Sequence, residues 1–173
     1  MKNLKVFCIL LVCALSFNVS YAQKTKAEKK AAKAADVSRI VNAMNYRFVA
    51  NYVIPASMPS RALTSDYDVT VNKDKLDIYL PYFGRAYVAP RDLNDGGLKL
   101  KTTKFDYNAK PDKKGGWDIT IKPQENSISG VKDIQQLILN VQSDGYASLH
   151  VSPLNKQPIS YNGYIEEAKE RSK

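Results

Sequence analysis

The sequence predicts an all-β domain, an antiparallel barrel or two-sheet sandwich of about eight or nine strands, preceded by one N-terminal amphipathic helix. Three observations carry this. Beyond Asn45 the apolar residues recur every second position, the period of a strand with one buried and one solvated face. The runs are parted by compact turn clusters, Asn72-Lys73-Asp74, Pro111 to Gly116 and Ser143-Asp144-Gly145, and tight turns join antiparallel neighbours. No helical pattern lies between the runs, which removes the crossovers that a parallel sheet requires.

The elements follow in order. Residues 1–22 read as a secretory signal: Lys2 and Lys5 open it, Val6 to Phe17 is apolar, and Ser20 and Ala22 are small. Export is therefore expected, to the periplasm or the medium, with cleavage near Ala22. The apolar run is shorter than the ~20 residues of a membrane span, and no later stretch approaches that length. Cys8 and Cys13 both sit inside this leader, preceded by Phe7 and Val12 rather than by a small residue, so no lipid anchor is expected.

Residues 23–45 form a Lys/Ala-rich leader helix. Val37, Ile40, Val41 and Met44 recur at helical spacing, and only this second half has a face to bury. The β domain is assigned to residues 46–165. Phe48, Ala50, Tyr52 and Ile54 alternate along a first strand that stops at Pro55. Tyr67 to Val71 and Leu76 to Leu80 make the clearest hairpin. Arg85 to Val88, the long run Leu98 to Tyr107, and Trp117 to Ile121 follow. Ile134 to Gln142 and Tyr146 to Val151 make a second hairpin, and Ile159 to Ile165 ends the domain. Residues 166–173 read as a charged, solvated tail. The expected core comprises Leu76, Ile78, Leu80, Trp117, Ile119, Ile121, Leu137, Leu139 and Val141.

The chemistry is bounded by what the chain beyond Ala22 lacks. Without cysteine there, a disulfide, a thiolate nucleophile and a Cys-ligated metal are excluded, and His150 is the single histidine. In its period-two context His150 reads as a bonded imidazole on a sheet face. Asp66, Asp68 and Asp77 read as a solvated face rather than as a hydrolytic pair. Gly96-Gly97 and Gly115-Gly116 are turn pairs with no helix after them, so no phosphate cradle forms. Asp92, Asn94 and Asp95 are only a fragment of a calcium loop. No catalytic residues, cofactor or metal are assigned. The net charge of +9 falls to about +3 from Ala34 onward, which argues against a nucleic-acid partner.

The most distinctive segment is Leu80-Pro81-Tyr82-Phe83-Gly84-Arg85-Ala86-Tyr87. Pro81 cannot donate to a ladder and Gly84 permits a bend, so the strand re-aims its aromatic side chains here. One reading is a packed sheet corner. The other is a ligand groove lined by Tyr79, Tyr82, Phe83, Arg85 and Tyr87, since tyrosine offers a flat apolar face with a polar tip. Ser160-Tyr161-Asn162-Gly163-Tyr164 would extend that surface if its strand lay alongside.

That motif, followed by Gly116-Trp117-Asp118-Ile119, Gly145-Tyr146-Ala147-Ser148-Leu149 and Ile159-Ser160-Tyr161-Asn162-Gly163, resembles in the same order a family of exported Bacteroidetes proteins, catalogued as domain of unknown function 4251. The resemblance spans Phe48 to Ile165 and implies a secreted or periplasmic β-rich domain. It transfers no catalytic or binding residues. The expected function is a non-enzymatic binding module for an amphiphilic small molecule or an envelope protein. A structural or interaction domain without a small-molecule site is the alternative, and an envelope hydrolase is the third.

Overall fold

The structure, a computed structural model, describes residues 26–87, 97–124 and 134–168. The expected leader with Cys8 and Cys13, Val88, the Asp92-Asn94-Asp95 fragment, Gly96 and the residues beyond Ala168 lie outside the described residues. Helix α1 is Lys26–Asn42. The strands are β1 Tyr46–Pro55, β2 Arg61–Ala62, β3 Asp68–Asn72, β4 Lys75–Pro81, β5 Gly97–Thr102, β6 Phe105–Pro111, β7 Trp117–Pro123, β8 Ile134–Val141, β9 Tyr146–Pro153 and β10 Ile159–Glu167.

All ten strands pair antiparallel in one sheet that curls into a nearly closed barrel. The order is β5-β4-β3-β1-β10-β9-β8-β7-β6, with β2 attached to β1 alone. It is a meander: neighbours in the sheet are neighbours in sequence, apart from the skipped β2 and the pairing of β1 with β10, the last strand. Inward-facing alternate residues fill the interior. Leu76, Ile78, Leu80, Ile119, Ile121, Leu137, Leu139 and Val141 are all buried, while Trp117 stays half-buried at the barrel edge.

Four local expectations are corrected. Phe48 and Ala50 point inward on β1, but Tyr52 and Ile54 do not: the β1·β10 register shifts between Ala50 and Tyr52, and this bulge turns Val53 inward instead. Leu98 to Tyr107 is not one strand. The chain bends at Thr103-Lys104, where the Thr102 hydroxyl accepts from the Lys104 N–H at 3.0 Å, and the inward parity changes from Leu98 and Leu100 to Phe105 and Tyr107. The two legs then part: among the described residues β5 pairs only with β4 and β6 only with β7. In the described part of the expected strand Arg85 to Val88, residues 85–87, the structure shows a single bridge, Ala86 to Lys156, rather than a strand, because the segment runs against a loop. Glu166 and Glu167 belong to β10, not to the charged, solvated tail, since β1 extends back to Tyr46 and pairs with them.

The chain divides into two compact units. In the first, the described residues 26–31 are exposed turns of α1; the second, from Ala32 on, holds the rest of α1 and the barrel. There α1 buries Val37, Ile40 and Val41, and ends in a left-handed cap at Met44, φ 48°. The Asn45 N–H bonds to the Ile40 carbonyl and the Met44 N–H to the Val41 carbonyl, which turns the chain directly into β1. Gly145 adopts φ +91° in the β8–β9 turn and lies beneath Val37, where a Cβ would meet the valine methyl at 3.7 Å. The Arg39 guanidinium grips both oxygens of Glu167 at 3.0 Å, and Asp36 as well.

Candidate functional site

Four strands, β1, β4, β7 and β9, end in buried prolines on one side of the barrel: Pro55, Pro81, Pro123 and Pro153. Proline has no N–H to leave unpaired at a strand end, and its ring closes the end of the apolar interior. The segments that follow Pro55, Pro81 and Pro153, residues 56–60, 82–87 and 154–158, are stitched together. Gln157 is the hub: its side-chain oxygen accepts from the Ser57 hydroxyl at 3.2 Å and weakly from the Arg85 N–H at 3.4 Å. Its own N–H donates to the Arg85 carbonyl at 3.0 Å, and the Tyr87 N–H donates to the Asn155 carbonyl at 2.8 Å.

The five aromatic-motif residues take different parts. The Tyr82 hydroxyl donates between the carbonyls of Arg85, 2.9 Å, and Gln157, 3.1 Å, with burial of the ring raising its pKa. Gly84 is required beneath that ring, since a Cβ there would stand 2.5 Å from the phenol oxygen. Phe83 packs on the core under the Arg61 guanidinium, 4.7 Å from the ring centre. Tyr79 lies on the outer wall of β4, its ring 5.5 Å from that of Tyr67 and with Lys99 over it. Arg85 and Tyr87 face solvent, Tyr87 at 67% exposure. The motif thus brings Tyr82, Arg85 and Tyr87 to one barrel end and leaves Tyr79 on the wall.

Strand β10 does not flank β4. It meets the motif through the interior, where the buried Tyr161 hydroxyl donates to the Pro81 carbonyl at 2.6 Å. Tyr164 stands instead beside Tyr146 on β9. His150 bonds Ser160 on the facing strand, Nδ1 to Oγ 3.0 Å.

Residues 28–165 match the family described as Domain of unknown function (DUF4251). The chain belongs to the DUF4251 family. The crystal structure of a DUF4251 family protein from Bacteroides eggerthii DSM 20697 is similar to this chain, with a TM-score of 0.58 at 20% sequence identity, over 80% of this chain and 91% of that one. At that identity the likeness is one of fold. No curated protein matches the chain.

On this DUF4251 barrel the three stitched segments are one-sided in charge. Residues 56–63, 82–87 and 154–158 contain Arg61, Arg85 and Lys156 but no carboxylate. Lys156 rests over the Tyr82 ring at 5.3 Å, and the Arg85 guanidinium has no carboxylate partner among the described residues. Met58, Tyr87 and Leu154 leave 41%, 67% and 51% of their surface in solvent among these cations. Sequence reasoning missed Met58, Arg61, Leu154, Lys156 and Gln157. The available signal was the acid-free composition of the segments after Pro55, Pro81 and Pro153, but nothing local says that these three meet.

A cleft of about 380 Å³ lies elsewhere, between Val37 and Ile40 of α1 and Tyr146, Tyr164 and Ile165 of β9 and β10. It contains none of the five motif residues. Its rim carboxylates are largely engaged: Asp36 and Glu167 hold Arg39, and Glu166 lies 3.6 Å from Arg47. Among the described residues no group of three His, Cys, Asp or Glu side chains is placed to hold a metal ion, and no helix is long and apolar enough to cross a membrane.

Proposed function

We propose that this is an exported, non-enzymatic binding module whose proline-closed barrel end takes an amphiphile carrying an anionic group. The observation that carries the reading is the composition of three segments at that end, residues 56–63, 82–87 and 154–158: exposed Met58, Tyr87 and Leu154 among Arg61, Arg85 and Lys156, with no acid in them. Apolar surface supplies the attraction and the cations select the head group. Tyr82, Phe83 and Gln157 hold the loops, while Arg85 and Tyr87 make the contact.

Native mass spectrometry of the full chain recovered from the envelope of its own host tests this. A bound mass lost on denaturation, and absent from Arg85→Ala and Tyr87→Ala chains that remain folded, is the expected result. A bare wild-type chain overturns it in favour of a structural domain without a small-molecule site.

A further inference from the structure

We infer that two copies of this chain pair through the bare edge of β6, strand to strand and antiparallel, about a twofold axis at Asn108. β4 makes its last pair with β5 at Leu76↔Thr102 and turns away at Lys73-Asp74, so β6 continues past it. One edge of β6 pairs along its whole length with β7, and no strand pairs with the other edge among the described residues.

The hydrogen-bond phase identifies the residues at that edge. The Gln124 N–H donates to the Lys104 carbonyl, and the Asp112 N–H donates to the Gly116 carbonyl. Backbone groups alternate sides along a strand, so Lys104, Asp106, Asn108, Lys110 and Asp112 face β7. Phe105, Tyr107 and Ala109 therefore turn their N–H groups, and Pro111 its carbonyl, to the bare side. Pro111 places its missing N–H there, which is where an edge strand tolerates proline.

The sequence of β6 is complementary to itself. An antiparallel copy centred on Asn108 sets Asp106 opposite Lys110 of the second copy, and Lys110 opposite its Asp106. Tyr107 and Ala109 exchange backbone hydrogen bonds with their symmetry mates, and Phe105 meets Pro111. The exposed outer face of β6 is Asp106, Asn108 and Lys110. On β7, Lys122 already lies opposite Asp106 and Asp118 opposite Lys110. The joined four-strand face then alternates in sign from strand to strand in both charged rows, Lys122-Asp106 running into Lys110-Asp118. Opposed charges on facing strands attract, whereas a long unpaired edge left open is a liability. A register shift of two residues would bring Asp106 opposite Asn108 and forfeit both ion pairs, so charge selects the register.

Sedimentation equilibrium of the full chain over a concentration series is the test. The expected result is a monomer–dimer equilibrium, weakened about tenfold or more by Asp106→Lys or by Lys110→Asp, since each sets like charges opposite one another twice. Mixing the two variants restores dimer, because the first then presents lysine at both positions to the aspartates that the second carries at both. A wild-type chain that stays monomeric, as it would if a foreign strand were the natural occupant, overturns the proposal, and so does a mixture no stronger than its parts. A second variant is independent of surface charge. Asn108 faces its own copy in a non-hydrogen-bonded pair, with Cα atoms about 4.5 Å apart, within disulfide reach. In a chain with Cys8→Ala and Cys13→Ala, Asn108→Cys is expected to link into covalent dimers under mild oxidation, while Lys113→Cys in the β6–β7 turn is not. Absence of the Asn108→Cys link overturns the register.

Discussion

The Tyr161 hydroxyl reaches through the barrel interior to donate a 2.6 Å hydrogen bond to the carbonyl of Pro81, eighty residues away in sequence. The bond joins β10 to the last residue of β4, strands separated in the sheet by β1 and β3. It satisfies a carbonyl at the point where the ladder ends and the aromatic motif begins.

Tyr161→Phe leaves that carbonyl buried without a partner and is expected to destabilise the fold by about 1–3 kcal/mol. Urea unfolding monitored by Trp117 fluorescence measures the loss. Tyr79→Phe on the exposed wall, in the same assay, should fall within about 0.5 kcal/mol of wild type.

Gly163 lies opposite the β1 bulge, where a Cβ would collide with the Val49 carbonyl and crowd Ala50. Backbone cannot move aside there without parting β1 from β10. Gly163→Ala should cost about 3 kcal/mol or more, read as a steep fall in Tm or loss of soluble protein. Gly115→Ala, strained by its φ of +80° but in an exposed turn, should cost about 1 kcal/mol.

Stability and contact separate within the aromatic motif. Tyr82→Phe removes the hydroxyl that ties Arg85 to Gln157 and is expected to lower stability by about 1 kcal/mol. Tyr87→Ala changes an exposed side chain and should leave the melting temperature within a degree or two while abolishing the bound mass. Equal losses of stability in both variants would contradict this division.

Acid loosens the helix clamp. Hydrogen bonds from Arg39, reinforced by its charge, hold the Glu167 carboxyl below its usual value of 4.5. A depressed carboxyl contributes its full stabilisation above the unfolded value and loses it as pH falls through the folded one. Protection of the Val37 to Val41 amides, measured relative to the intrinsic exchange rate at each pH, should therefore fall below pH 4.5 in wild type, and Glu167→Gln should show the lower protection already at neutral pH.

Base acts on the tyrosines. Burial raises the phenols of Tyr46, Tyr161 and Tyr107 above their usual value of 10.0. Neutral buried phenols contribute fully below that unfolded value, and the contribution declines as pH rises past it. Urea midpoints measured between about pH 9 and 11.5 should drop steeply, and less steeply for Tyr161→Phe.

Much of the fold was legible along the chain. Leu76-Asp77-Ile78-Tyr79-Leu80 states its own inner face, and Lys73-Asp74 and Ser143-Asp144-Gly145 state their turns, because face alternation and turn chemistry are decided by residues a few positions apart. Phe48 to Ile54 reads equally well as an unbroken alternation, and its bulge becomes evident only against Gly163. Leu98 to Tyr107 likewise reads as one strand until β4 runs out beside Thr102.

The sequence by itself determined the antiparallel all-β class, most of its core residues, and the chemistries that one histidine and the absence of cysteine beyond Ala22 exclude. Only the tertiary structure decided that β1 closes on β10, that Gln157 gathers three loops around Arg85 and Tyr87, and that β6 keeps a bare edge among the described residues. Side-chain period is a local property of the chain. Closure, register and the meeting of distant loops depend on where strands separated by about a hundred residues end relative to one another, and that is set by packing of the whole interior.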